Sequence, residues 1–315
     1  MTDMTYRRLG NSGLTVSTVG IGCNNFGMRI DNEATKLVVG AAIDVGITLF
    51  DTSDSYGDSE VFLAEALGSR RDKVVIATKF GSDLRGANGP DWDARGSRRY
   101  IRRAVERSLT RLKTDWIDLY QIHKPDPSTP IEETLGALSD LVHEGLVRYI
   151  GCSNFAAWQV ADADWISQTN GFERFISAQN HYSLIERDIE AELIPACERF
   201  GVGLLPYFPL ASGLLTGKYR RGDAPPEGGR IAAWGMTNLL SDANFDAVER
   251  LEAFAAERSI SLLDVAMGGL AAQPTVSSVI AGATSVAQVE ANAAAGMWSP
   301  SVEDRAALRD LLALS

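Results

Sequence analysis

The sequence predicts an α/β protein built as a (β/α)8 TIM barrel, and three observations carry that prediction. Strand-like and helix-like segments alternate along the chain, which implies parallel strands joined by crossover helices. Eight such units in 315 residues favour a closed barrel over an open sheet. Three short apolar runs each end in an ionisable residue: Leu49-Phe50 in Asp51, Val74-Val75-Ile76-Ala77-Thr78 in Lys79, and Ile117-Asp118-Leu119-Tyr120-Gln121-Ile122 in His123. Folding alone does not require charge at successive strand ends. In a barrel those C-terminal ends form one rim, where catalysis sits.

Buried strands read as short apolar runs, and eight satisfy that pattern. They are Thr18–Gly22, Thr48–Asp51, Val74–Lys79, Ile117–His123, Tyr149–Ser153, Ser177–Asn180, Gly203–Tyr207 and Val276–Ile280. Helical periodicity follows at Asn32–Asp44, Ser59–Leu67, Ser97–Leu112, Ile131–Glu144, Ala156–Gln168, Glu190–Phe200, Leu263–Ala271 and Val286–Ala295. Ser97 is placed to cap the third helix, and Gly145 and Gly201 to stop the fourth and sixth. Leu9-Gly10-Asn11-Ser12-Gly13-Leu14 reads as the turn of a leading N-terminal hairpin. Asn244–Arg258 and Glu303–Leu314 read as extra C-terminal helices. Gly81–Gly96 and Tyr219–Asp242 exceed ordinary connections, and loops that long are often functional lids. No composition shift marks a boundary, so residues 1–315 read as one domain.

Bulk chemistry excludes several classes. No apolar run approaches the about 18 residues that span a bilayer. The opening residues lack the apolar core of a signal peptide, so a cytoplasmic protein is expected. A formal net charge of −11 disfavours nucleic acid and anionic membrane as partners. Cys23, Cys152 and Cys197 form no C-x-x-C pair and read as reduced, packed thiols, the first two close enough to strand ends for ligand contact. The three histidines, His123, His143 and His181, show no metal-ligand spacing, so no metal is expected. His143 and His181 read as structural. Trp116, Trp158 and Trp165 read as packing between barrel and helices, whereas Phe26, Trp92 and Trp234 are candidates for an apolar pocket wall.

The stretch Asp51-Thr52-Ser53-Asp54-Ser55-Tyr56-Gly57 adds a phenol just beyond the first rim carboxylate. Asp51, Tyr56, Lys79 and His123 together resemble the tetrad of the aldo-keto reductase superfamily. The resemblance extends through Gly151-Cys152-Ser153-Asn154-Phe155, Gln179-Asn180-His181-Tyr182, Pro209 to Tyr219, and Ile280-Ala281-Gly282-Ala283, and covers roughly residues 5 to 298. It implies reduction of aldehydes or ketones to alcohols by hydride transfer from NADPH, with NADH as an alternative donor and a small-molecule carbonyl as partner. In that chemistry Tyr56 is the general acid, provided that its pKa falls from the ordinary value near 10 under the influence of Lys79. Asp51 holds Lys79, and His123 orients the carbonyl oxygen. The rival reading is a regulatory subunit that senses nicotinamide cofactor with little turnover, and a third uses Lys79 as a Schiff-base lysine.

Gly20-Ile21-Gly22-Cys23-Asn24-Asn25-Phe26-Gly27 is not a Rossmann fingerprint, because Asn25 stands where glycine is required and the next helix starts too late. The resemblance implies another cradle. Ser153, Asn154 and Gln179 would hold the carboxamide, and Tyr207 would stack on the nicotinamide. Leu210, Ser212 and Gly213 would wrap the pyrophosphate beside Lys218, and Gly282, Thr284, Gln288 and Asn292 would hold the adenosine end. Thr284 and Gln288 are neutral, so Arg230 in the long loop is the candidate for a 2′-phosphate, with Arg220 and Arg221 as alternatives.

Overall fold

A computed structural model of the chain describes residues 4–226 and 228–312. A hairpin of β1 (Tyr6–Arg8) and β2 (Thr15–Ser17) leads into alternating strands and helices. These run β3 (Val19–Gly22), α1 (Asn32–Asp44), β4 (Leu49–Asp51), α2 (Ser59–Leu67), β5 (Val75–Phe80), α3 (Arg98–Leu112), β6 (Ile117–Ile122) and α4 (Ile131–His143). They continue with β7 (Val147–Ser153), α5 (Ala157–Asn170), β8 (Ser177–Gln179), α6 (Leu193–Phe200) and β9 (Gly203–Leu204). A short α7 (Arg230–Ala233) and the longer α8 (Asp242–Glu257) precede α9 (Leu262–Ala271), β10 (Val279–Gly282), α10 (Val286–Ala295) and α11 (Val302–Leu312). Of the expected last helix, Leu314 lies outside the described residues.

Eight parallel strands follow one another in the order β10-β3-β4-β5-β6-β7-β8-β9. The sheet curls until its two edges meet. The Leu204 amide donates to the Thr275 carbonyl at 2.8 Å and the Ser277 amide to Leu204 at 3.0 Å, closing the seam. The chain is therefore a (β/α)8 barrel.

Local chemistry explains the element ends. Asp31 caps α1 by accepting from the Ala34 amide, and Ser97 caps α3 by accepting from Tyr100. Gly201 ends α6 at a left-handed φ of 69°. Three expectations shift for physical reasons. The seventh barrel strand stops at Leu204 because Pro206 has no amide to donate, although Leu205 and Tyr207 still bond Ala178 and Asn180 across the gap. The sixth barrel helix starts at Leu193 rather than Glu190, since Pro195 fits only a first turn. The eighth strand pairs regularly over Val279–Gly282, whereas Val276 makes only the closing bridge.

The main core lies between barrel and helices. A second, inner core fills the barrel axis with Leu9, Val16, Leu49, Ala77, Leu119, Leu205 and Ile280. Leu9 and Val16 come from the hairpin, which plugs the N-terminal end of the barrel. Gly10 makes that approach: at φ 56°, a Cβ there would sit 2.5 Å from the Ile176 carbonyl oxygen.

The aromatic expectations need correction. Trp158 and Trp165 are 67% and 70% exposed, seven residues apart on the outer face of α5. Val160 and Ala163 take its inner face instead. Trp116 lies between the guanidiniums of Arg71 and Arg148, 4.7 and 4.6 Å from its ring centre. Phe26 is wholly buried in the core. Trp92 is exposed and lies against Arg99, 4.4 Å from its ring centre.

Candidate active site

The C-terminal ends of the strands open on one cleft of about 1250 Å³. Strand β4 ends in Asp51, β5 carries Lys79 at its penultimate position, and His123 follows β6 directly. Ser153 ends β7 and Gln179 ends β8. Asp51, Tyr56 and His123 line the cleft, and Lys79 is sealed behind them with no exposed surface. The four candidate catalytic residues thus come together.

Lys79 Nζ donates to Asp51 Oδ2 at 2.6 Å and to the Thr52 carbonyl at 2.8 Å. It also stands 5.0 Å from the centre of the Tyr56 ring. Asp51 Oδ1 accepts from Gln179 Nε2 at 2.8 Å and from Gln121 Nε2 at 3.3 Å. A buried carboxylate needs such partners, and Gln121, mid-rim on β6, was not singled out by its sequence context. The Tyr56 and His123 rings meet edge to face at 5.9 Å.

Electrostatics follow from burial. Burial pulls the Lys79 ammonium down, but Asp51 and Tyr56 outweigh it and its pKa rises. Lysine at this site is an ammonium. The expected fall in the Tyr56 pKa does not occur. Burial pushes the phenol up, the nearby Lys79 charge opposes this only in part, and Asp51 adds to the rise. Tyr56 therefore holds its proton. Burial also takes His123 down to about 3, helped by the charges of Lys79 and Lys124, so its ring is neutral.

All thirteen candidate cofactor residues line the same cleft: Ser153, Asn154, Gln179, Tyr207, Leu210, Ser212, Gly213, Lys218, Arg230, Gly282, Thr284, Gln288 and Asn292. Several are already engaged with one another. Ser153 Oγ donates to the Gln179 carbonyl at 2.8 Å, and Asn154 Oδ1 accepts from the Tyr207 hydroxyl at 2.8 Å. Tyr207 stacks on His181, with planes 5° apart, so His181 is a packing residue. The Thr284 amide and hydroxyl both bond Gln288 Oε1, at 2.8 and 3.1 Å.

A dinucleotide needs an anion cradle, and the donors present fit one. Phe208, Ala211, Ser212 and Gly213 adopt left-handed backbone, with φ of 53°, 45°, 57° and 99°. Non-glycine residues hold such turns only where the surroundings enforce it, and the Ala211 and Gly213 amides are bonded to the Phe208 and Leu210 carbonyls at 2.9 and 2.8 Å, so the cationic side chains supply the free donors. Arg29, Lys218 and Arg230 line the same end of the cleft without a carboxylate partner among the described residues. Burial, with Arg29 repelling it, pushes the Arg230 guanidinium down to about 10. Arg230 Nη2 donates to Asn25 Oδ1 at 2.7 Å, and its guanidinium lies 4.8 Å from the Trp234 ring centre. Trp234 therefore supports Arg230 and does not line the cleft. Arg220 is tied to Glu252, and Arg221 to Asp242, Asp246 and Glu249, which holds both against α8.

Arg29, Asn24, Asn25 and Phe208 line the cleft as well, and sequence reasoning missed them. Arg29 had no readable signal: it reaches the cleft because its guanidinium bonds the Gly228 carbonyl, 199 residues away in sequence, at 2.7 Å. Cys23 and Cys152 are wholly buried, burial pushes both thiols far up, and neither lines the cleft. Among the described residues no cluster of three His, Cys, Asp or Glu side chains is placed to hold a metal ion. No helix there is long and apolar enough to cross a membrane.

A (β/α)8 barrel with carboxylate, ammonium, phenol and imidazole joined at the rim of a long cationic cleft is a barrel enzyme. Residues 18–312 match the Aldo/keto reductase family, and the chain belongs to it. It is 36% identical over 300 residues to a probable voltage-gated potassium channel subunit beta of Oryza sativa, covering 92% of this chain and 90% of that protein. It is equally similar, at 36%, to an uncharacterised oxidoreductase of Bacillus subtilis, covering 91% and 89%. The versiconal hemiacetal acetate reductase of Aspergillus parasiticus is again 36% identical, covering 86% and 87%. Family membership and reductase relatives make the chain an oxidoreductase.

Proposed function

We propose that the protein reduces aldehydes or ketones to alcohols with NADPH, and that Tyr56 supplies the proton. The observation that carries this reading is the buried Lys79–Asp51 contact at 2.6 Å directly behind the Tyr56 ring, which lines the cleft. When bound, the nicotinamide supplies hydride, which leaves negative charge on the carbonyl oxygen. A proton donor and a hydrogen-bond donor must then face that oxygen. Tyr56 retains its proton under burial and suits the first role. The Lys79 charge beside it stabilises the phenolate left after transfer. Asp51, held by Gln121 and Gln179, keeps Lys79 charged and in place. His123 suits the second role as a neutral imidazole.

Gln179 and Asn154 would hold the carboxamide, Tyr207 would face the ring, and Ser212, Gly213, Lys218 and Arg230 would meet phosphate. Oxidation of NADPH against a panel of carbonyls, wild type beside Tyr56→Phe, tests the reading. Wild type should turn over. Tyr56→Phe should lose nearly all turnover while still binding cofactor. Near-wild-type turnover in the variant removes Tyr56 from the acid role.

A second reading, a cofactor-sensing regulatory subunit, draws support from the similarity to the plant channel subunit. It requires tight cofactor binding with negligible turnover of every carbonyl, which the same assay detects.

A further inference from the structure

Two serines at the rim have no part in the chemistry above. Ser82, just past β5, places Oγ 2.9 Å from His123 Nδ1. Ser53, between Asp51 and Tyr56 in sequence, places Oγ 3.2 Å from the same nitrogen. His123 Nε2 has no hydrogen-bond partner among the described residues, and the ring lines the cleft. Backbone position is set elsewhere: the His123 amide donates to Phe80, and its carbonyl accepts from Asn154 Nδ2 at 2.9 Å.

A neutral imidazole has one N–H and one bare nitrogen, and only the arrangement with the proton on Nε2 can donate to a carbonyl in the cleft. A hydroxyl can either donate or accept, so its other partners decide. Ser53 Oγ already accepts from the Ser55 amide at 3.2 Å, and its proton has Ser55 Oγ at 2.9 Å and Asp54 Oδ1 at 3.4 Å as alternatives. Ser82 Oγ has no other partner among the described residues. Within the protein, the acceptor left for its proton is Nδ1, and that donation requires Nδ1 to be bare.

We propose that Ser82, with Ser53 as the second contact, is a positioning residue that fixes His123 in the Nε2–H tautomer and so aims its one N–H at the substrate oxygen. This rests on the reductase reading for its consequence, but not for its observation. Removing the hydroxyls leaves the ring in place and frees its proton to occupy either nitrogen. Part of the population then presents a bare nitrogen to the carbonyl.

The test is proton–nitrogen correlation NMR on the full chain with labelled histidine. Only three histidines are present, and His123→Gln identifies the relevant signals. Wild type should show His123 with its proton on Nε2 alone, and Ser53→Ala/Ser82→Ala should show a mixture. In the same variants kcat should fall by about tenfold, the effect of one lost hydrogen bond, with the cofactor KM unchanged. Ser82→Thr, which keeps a hydroxyl, should restore both signals and rate. If the double variant fails to fold, Ser82→Ala alone carries the comparison. A wild-type proton on Nδ1, or variants with tautomer and kcat both unchanged, would overturn the proposal. A tautomer shift in a chain that turns over no carbonyl would support the serine contact and refute the reductase reading.

Discussion

Arg230 shows how a residue acquires a role from what it lacks. Its guanidinium is mostly buried, bonded to the side-chain oxygen of Asn25, and faces no carboxylate among the described residues. Arg29 and Lys218 press further positive charge on it. A buried cation without a counter-ion favours an incoming anion. A charge-assisted bond to phosphate contributes roughly 1.5–3 kcal/mol, about ten- to a hundredfold in affinity. Arg230→Ala should weaken NADPH binding by that factor and leave NADH nearly unchanged. Fluorescence titration with both cofactors checks this, and equal losses would remove the 2′-phosphate role. Neutral Thr284 and Gln288 made Arg230 a candidate from sequence. That Arg220 and Arg221 are spent on α8 was not legible, because their acidic partners lie 21 to 32 residues away.

Among elements, the hairpin of β1 and β2 separates stability from catalysis. It seals the barrel at the end opposite the cleft, with Leu9 wholly buried in the inner core. Leu9→Ala leaves a cavity there, and such truncations cost about 2–5 kcal/mol. Denaturant unfolding should register a loss of that size, while kcat and cofactor affinity stay at wild-type values. A large change in kcat with little change in stability would show that the plug reaches the rim. The turn from Leu9 to Leu14 announced the hairpin. The end of β9 at Leu204 was missed because Pro206 interrupts an otherwise strand-like run, and the start of β10 at Val279 because Val276 is taken up by the closing bridge to Leu204. Trp158 and Trp165 misled because a stripe of tryptophan reads as buried unless the opposite stripe, Val160 and Ala163, is known to be the inner one.

For the whole molecule, the buried Asp54 ties folding to pH. Burial, with Glu60 nearby, raises its carboxyl to about 7 against an ordinary value of 3.8. The folded state thus binds this proton more tightly than the unfolded state. The corresponding stability is full below pH 3.8 and is lost as pH rises through about 7. Asp54→Asn keeps a neutral side chain at every pH. Its stability relative to wild type should therefore improve across that window, by on the order of 4 kcal/mol. Chemical denaturation of both proteins at several pH values measures the gap, and a constant gap would show that Asp54 is not strained by its charge. Asp54 stood in the sequence between two residues of interest, yet nothing local marked it as buried. Asn88 from the long loop after β5, bonded to it at 3.1 Å, helps to enclose it.

The sequence by itself determined the barrel, because strand and helix periods are local properties and eight alternations leave few topologies. It also determined which residues reach the rim, since an ionisable group that ends a barrel strand has one place to go. Asp51, Lys79 and His123 were legible for that reason, whereas Ser153 and Gln179 were legible only through the motifs that resemble the family. Only the tertiary structure decided what those residues do to one another. The short bond from Lys79 to Asp51, the neutral ring of His123 and the retained proton of Tyr56 depend on burial and on contacts between different strands. Contributions of that kind arise where distant segments meet and water is excluded, and no window of sequence contains them.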